Sequence, residues 1–324
     1  LPTASRLQAI RCASSRHNTA PANCPAGSSG RVFSESMKLS SKATIYTFLV
    51  IGLLVTLALI VAPVVYAISL SFYKMDSFVG EAKWIGLDNY IAIVKLPEFW
   101  NALWNGVVYS LGSIVLQVVL GIGFALILNE AFPGRNFVRG LSILPYLLPT
   151  VVVILTFKWM VDGSIGIITR TIAALGLPPV NWFESSGAAM TSTILVSVWM
   201  WTPFVTTCFL AALQTIPVSL YEAAKVDGTT AVQRFFHITL PMLKPILTVV
   251  VLLRAIWMFN KFDVIWLLTK GGPVGATENL AILSYRHAFS LFDIGGGAAI
   301  ATISFAILSV AVFFYFRIFP LEDD

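Results

Sequence analysis

Three stretches of this chain, residues 43–73, 99–129 and 185–221, carry no charged side chain. Each exceeds the ~20 residues that an α-helix needs to cross the hydrocarbon of a bilayer. Within hydrocarbon every backbone polar group must be bonded inside the protein, so a run of this kind folds as a spanning helix. Three more stretches are read as spans: 140–157, extending toward Val161, then 246–268, apolar except for a few polar residues, and 294–316. The expected fold class is an all-α membrane protein with six transmembrane helices. Bulk composition agrees: mean hydropathy is +0.83 and only 11% of residues are charged, against about a quarter in soluble domains.

The net charge of +5 does not point to nucleic acid. Arg6, Arg11, Arg16 and Arg31 supply four of those charges, and without them the chain is nearly balanced. These arginines lie in residues 1–36, a stretch rich in Ser, Ala and Pro that lacks the continuous apolar core of a signal peptide. Residues 1–36 are expected to be a disordered or non-native N-terminal extension, with the membrane domain occupying 37–324. Cys12, Cys24 and Cys208 form neither a zinc spacing nor a disulfide framework. Cys208 reads as a packing residue. His17, His237 and His287 suggest no metal or catalytic grouping.

Cationic side chains orient the spans. Lys38 and Lys42 precede the first, Arg135 and Arg139 crowd the loop after the second, and Lys225, Arg234 and Lys244 lie between the fourth and fifth. Positive-inside bias puts these on the cytoplasmic side, together with both termini. Lys74, Lys83, Lys95 and Lys270 then fall outside. Trp84, Tyr90, Phe99, Trp100, Trp182 and Phe183 occupy the outer segments and read as an interfacial aromatic belt.

The polar stretch between the fourth and fifth spans has a fixed pattern: Glu222-Ala223-Ala224, Gly228, then Ile238, Leu240 and Pro241. It resembles the EAA loop of binding-protein-dependent ABC importer permeases. The resemblance extends to Gly86-Leu87-Asp88-Asn89-Tyr90, the Trp199 to Phe204 stretch, Phe262-Asp263 and Thr269-Lys270-Gly271-Gly272-Pro273. It covers the chain from about Met37 onward and is closest to sugar-importer permeases of the maltose and glycerol-3-phosphate type. It implies an ABC importer permease (MetI-like) fold with a cytoplasmic EAA coupling loop at 214–245. Glu222, Ala223, Ala224, Asp227, Gly228, Ile238, Leu240 and Pro241 would couple to an ATPase. The implied partners are a second homologous permease subunit, two ATP-binding-cassette subunits, an extracytoplasmic sugar-binding protein and the lipid bilayer of the inner membrane. The chain lacks the Gly-x-x-x-x-Gly-Lys-Ser/Thr phosphate cradle, so ATP and Mg²⁺ are expected on the partner chains and no cofactor on this one.

The local reading of that loop is a helix-turn-helix. Pro217 suits a first helical turn, and Val218 to Asp227 forms a short helix ended by left-handed Gly228. Thr229 or Thr230 caps a second helix over 231–239, and Pro241 and Pro245 break the path before the fifth span. Ala223 and Ala224 keep the first helix narrow for close approach to a partner. An interfacial hairpin without a partner is the plainer alternative.

Candidate pathway residues lie on the flanking spans. Arg254, Met258 and Lys261 share one face of the fifth, with Asn260 and Asp263 nearby. Ser197, Trp201 and Phe204, followed by Cys208, share a face of the fourth. Flat aromatics beside hydrogen-bonding groups suit a sugar. A charge at the depth of Arg254 must face protein or water, and structural glue between helices is the competing role. The reading is therefore a carbohydrate importer subunit that performs no bond chemistry. Alternative cargoes are glycerol-3-phosphate or another small polar solute. An ATP-independent secondary transporter would leave the EAA loop unexplained, and an intramembrane enzyme would need a catalytic constellation that the sequence lacks.

Overall fold

The computed structural model describes residues 44–75, 81–178 and 182–320. The expectation for residues 1–36 lies outside them. The chain divides into two compact units, up to Val64 and from Val65 onward. Helix α1, Thr44–Leu70, is one continuous apolar helix that begins in the first unit.

The second unit is built on three long helices: α3 (Pro97–Asn129), α8 (Ser186–Leu213) and α13 (Ile294–Ile318). A fourth, α10, runs without interruption over Ala231–Phe259. Shorter helices connect them: α2 (Asp88–Lys95), α4 (Arg135–Ser142), α5 (Leu144–Leu147), α6 (Thr150–Met160), α7 (Ile167–Ala174), α9 (Val218–Val226), α11 (Asp263–Leu268) and α12 (Leu280–Tyr285). A small antiparallel ribbon pairs β1 (Tyr73–Lys74) with β2 (Lys83–Trp84).

Helices α3 and α8 form the central pair. Gly121 makes the close approach possible: a Cβ there would lie 2.6 Å from a Val205 methyl. Small residues play this role between helices in membranes, where apolar area alone gives no preference for protein over lipid. Several hydroxyls of α8 bond back along their own helix, among them Ser192 to Ala188 O at 2.7 Å and Thr202 to Val198 O at 2.6 Å. These two hydroxyls therefore sit inside the span with their donors satisfied.

The third expected span departs from the sequence reading. Residues 135–160 form two helical arms bent by 89°. The break falls at Leu148 and Pro149, both extended, with ψ of 143° and 125°. A residue preceding proline is pushed out of the helical region, and proline itself lacks the N–H that would continue the ladder. The described residues thus hold five long apolar helices and one bent pair.

The fifth span differs in the opposite sense. It begins at Ala231, and neither Pro241 nor Pro245 breaks it. A π-helical turn at Phe235–Thr239 precedes Pro241, with Leu240 N–H donating to Phe235 O, five residues back. The wider turn relieves the clash between a proline ring and the carbonyl four residues earlier. The helix ends instead at Phe259, and α11 carries the rest of the apolar stretch.

Candidate functional site

The EAA hairpin folds as its residues dictate. Helix α9 ends in paired bonds from Gly228 N–H to Lys225 O and from Thr229 N–H to Ala224 O, both 3.1 Å. This closure needs a left-handed residue, and Gly228 has φ +73°. Thr230 caps α10, its hydroxyl accepting from Gln233 N–H at 3.3 Å while Thr230 N–H donates to Gln233 Oε1 at 2.8 Å. Arg234 Nη1 donates to Thr229 O at 2.5 Å and ties the turn to α10.

The predicted coupling residues separate into two sets. Glu222, Ala223, Asp227 and Pro241 are exposed, whereas Ala224 is buried and Ile238 packs with Tyr221 on the core around Phe209 and Leu243. Leu240 is half-buried. Only Ala223 of the alanine pair is thus free to meet a partner, because Ala224 closes the hairpin on itself. The same surface exposes apolar Val218, Val226, Val232 and Phe236, with Val226 at 88% exposure.

The predicted pathway residues converge on one indole. Arg254 is fully buried. Its Nε donates to Gln117 Oε1 at 2.8 Å, and its Nη2 lies 3.5 Å from Met258 Sδ. Its guanidinium carbon stands 5.2 Å from the Trp201 ring centroid and 5.8 Å from that of Trp257. Lys261 Nζ approaches the Trp201 ring at 4.4 Å and pairs with Asp263 at 3.1 Å. Ser197 is buried, with its hydroxyl bonded to Tyr109 OH. Phe204 stacks on Tyr146 and tilts against Trp257. Asn260 does not join this group, since its Oδ1 accepts from Ser304 Oγ at 2.8 Å on α13. Cys208 packs on the apolar core.

Helix α3 supplies residues that the sequence reading passed over. Gln117 holds Arg254, and its Nε2 lies 3.4 Å from Ser197 O. Asn105 Nδ2 donates to Gly275 O at 2.8 Å and to Glu278 O at 3.1 Å. The signal was present as a four-residue repeat of polar or small side chains: Asn101, Asn105, Tyr109, Ser113, Gln117, Gly121 and Ala125. On a helix this spacing makes one stripe.

The end opposite the EAA hairpin is tied inward. Glu278 is buried and pairs with Arg286 Nε at 3.1 Å, and Arg286 Nη2 reaches Glu98 at 2.5 Å. Burial pushes the Glu278 carboxyl above its ordinary value, against the pull of Arg286. Asp293 caps α13 by accepting from Gly296 N–H, and its bond to His287 holds its carboxyl below the usual range. Of the expected aromatic belt, Trp84 and Trp100 are exposed, but Phe99 is buried in a core with Leu280 and Ile300.

A cleft of about 770 Å³ lies between α3, the α4–α6 arms and α8. Its walls include Leu120, Phe124, Trp199 and Pro203, and none of the predicted pathway residues lines it. A cleft so apolar does not match a hydroxyl-rich cargo.

Comparison with known proteins agrees with this geometry. Residues 117–320 match the family model "Binding-protein-dependent transport system inner membrane component". The chain is 37% identical over 272 residues to the "Trehalose/maltose transport system permease protein MalF" of Thermococcus litoralis, covering 84% of this chain and 92% of that one. It is 35% identical to the "Sulfoquinovosyl glycerol transport system permease protein SmoG" of Agrobacterium fabrum, over 82% of this chain and 86% of the relative. Among solved structures, a chain of a bacterial ABC transporter that imports the acidic polysaccharide alginate superposes with a TM-score of 0.77 at 22% identity, covering 89% of this chain and 98% of that one. That likeness establishes the fold. The chain therefore belongs to the family of binding-protein-dependent ABC importer permeases, inner-membrane transport subunits rather than enzymes.

Proposed function

We propose that this chain is one permease subunit of a carbohydrate importer working by alternating access. The observation that carries this reading is mechanical. The exposed face of Glu222, Ala223 and Asp227 sits at the head of α10, and α10 continues unbroken to Arg254. At 1.5 Å per residue, the 24 residues from Thr230 to Arg254 span about 36 Å. A push on the hairpin thus reaches the polar cluster through a single rod.

In this reading the hairpin faces the cytoplasm and seats on one of two ATPase subunits, which handle ATP and Mg²⁺. The exposed Val226, Val232 and Phe236 supply apolar contact, and Glu222 offers a carboxylate to a cationic partner. A second, homologous permease subunit completes the pathway, and an extracytoplasmic binding protein delivers cargo to the opposite end. Ser197, Trp201, Phe204, Arg254, Met258 and Lys261 line the route. The indoles offer stacking faces to sugar C–H groups, and the hydroxyls and cations offer hydrogen bonds. The names of the relatives support a sugar as cargo.

The test is reconstitution of the complete importer in liposomes with labelled trehalose, maltose and an acidic disaccharide. ATP-dependent uptake of a sugar that requires the binding protein is the expected result. Uptake that persists without ATP hydrolysis would overturn the coupling role.

A further inference from the structure

We infer that Arg254 reads a single negative charge on the cargo, so that the permease is built for an anionic sugar carrying a carboxylate or sulfonate. This rests on the reading of the Arg254 cluster as part of the pathway.

Two cations flank the Trp201 ring, and only one of them is balanced. Lys261 has Asp263 at 3.1 Å. Arg254 is fully buried, and among the described residues no carboxylate pairs with it. Its neighbours are the amide oxygen of Gln117, the sulfur of Met258 and the faces of Trp201 and Trp257, all of them neutral. A buried charge without a counter-ion is strongly unfavourable, more so at membrane depth. Cation–π contacts offset only part of that cost.

Two donors at the same place also lack acceptors. Among the described residues, Arg254 Nη1 has no hydrogen-bond partner, and neither has Trp201 Nε1. A guanidinium fork with an open N–H is the geometry that takes a carboxylate or related oxyanion. An oxyanion on a sugar would meet Nη1 and the indole N–H while the sugar ring lay on an aromatic face. It would also bring the Arg254–Lys261–Asp263 group from a net charge of +1 to zero. Gln117 is then a positioning residue, since it fixes Nε and leaves the other edge of the guanidinium for the cargo.

The site is shut in this structure, because Arg254 is covered by its neighbours. Opening requires α8 and α10 to part at Trp201, and α10 is the helix that leads directly from the EAA hairpin.

The experiment uses the full chain co-expressed with its partner subunits, in nanodiscs. Binding of D-glucose, D-glucuronate and sulfoquinovose is measured by calorimetry, and melting of the complex by fluorescence. The wild-type complex is expected to hold both anions at least about ten-fold more tightly than glucose. Arg254→Gln is expected to erase that preference, and Arg254→Lys to keep part of it. Gln117→Glu places a carboxylate beside the guanidinium, so it is expected to raise the melting temperature while abolishing the preference for anions. Equal affinity for glucose and glucuronate would overturn the inference. So would a lower melting temperature in Gln117→Glu, which would mean that a carboxylate from a partner subunit already neutralises Arg254. If neutral sugars bind and Arg254→Gln changes nothing, the anion inference alone fails. If no sugar binds the complex and uptake is also absent, the pathway reading fails with it.

Discussion

The two ends of the helical bundle treat their polar groups in opposite ways. At one end, Glu222, Lys225 and Asp227 project from α9 into open space. At the other, Thr277, Glu278 and Asn279 are buried, and Asn105, Arg286 and Lys261 O meet them with hydrogen bonds or ion pairs. A surface whose charges remain unpaired is free to bond to another molecule. A surface whose charges are consumed internally holds the bundle ends together. In the proposed reading the first is an interface, and the second is a clamp joining α3, the ends of α12 and the junction of α10 with α11.

Substitutions at the two ends should therefore fail differently. The largest effect is expected from Gly228→Val, because a β-branched residue resists φ +73°. The hairpin would lose its turn, and ATP-driven uptake should fall by more than about ten-fold while the subunit still inserts. Co-purification of the ATPase with the variant is the measurement. Normal co-purification with normal uptake would erase the proposed contrast between the ends.

Asn105→Ala acts on the clamp. It removes the donor shared by the buried Glu278 carbonyl and the half-buried Gly275 carbonyl, at about 1–3 kcal/mol. Thermal melting of the purified subunit should drop, with ATPase binding retained. Loss of ATPase binding without a change in melting would reverse the assignment of the two ends.

A third test uses pH. Burial holds the Glu278 carboxyl above its ordinary value, so the folded state keeps its proton longer than the unfolded chain does. That contribution is fully present below the ordinary carboxylate value and is lost as pH rises through the raised one. Asp293, held low, contributes in the opposite sense, present above its ordinary value and lost on acidification. Glu278→Gln should flatten the fall in melting temperature with rising pH and leave the acid limb set by Asp293. An unchanged slope would remove Glu278 from the account.

The smallest effect is expected from Glu98→Gln. The side chain is 60% exposed, and an exposed ion pair contributes less than about 1 kcal/mol. A shift in melting larger than that of Asn105→Ala would show that the clamp is organised by its rim rather than by its buried groups.

The spans and the EAA hairpin were legible in the sequence because their signals are local. Uncharged runs specify α3, α8 and α13 directly, and Gly228 with Thr230 specifies the turn through φ and capping. Two features depended on how a proline is accommodated, which local pattern leaves open. Pro149 bends the third span, whereas Pro241 is absorbed by a π-helical turn. The pathway cluster was half legible. Arg254 and Met258 share a helix face by spacing, but Gln117 reaches them from another helix. That contact depends on the packing of α3 against α10, two helices more than a hundred residues apart in sequence.

The π-helical turn at Phe235–Thr239 also fixes an angle. Successive residues of an α-helix are rotated by about 100° around its axis. One additional residue in the turn therefore rotates everything beyond it by about that amount relative to the hairpin. Arg254 lies beyond it. Deleting a single residue from this turn would leave every pathway side chain in the protein, yet would swing Arg254 more than a quarter of a revolution away from Gln117. The turn thus works as a keyway on a shaft: it sets the azimuth of Arg254 relative to the hairpin.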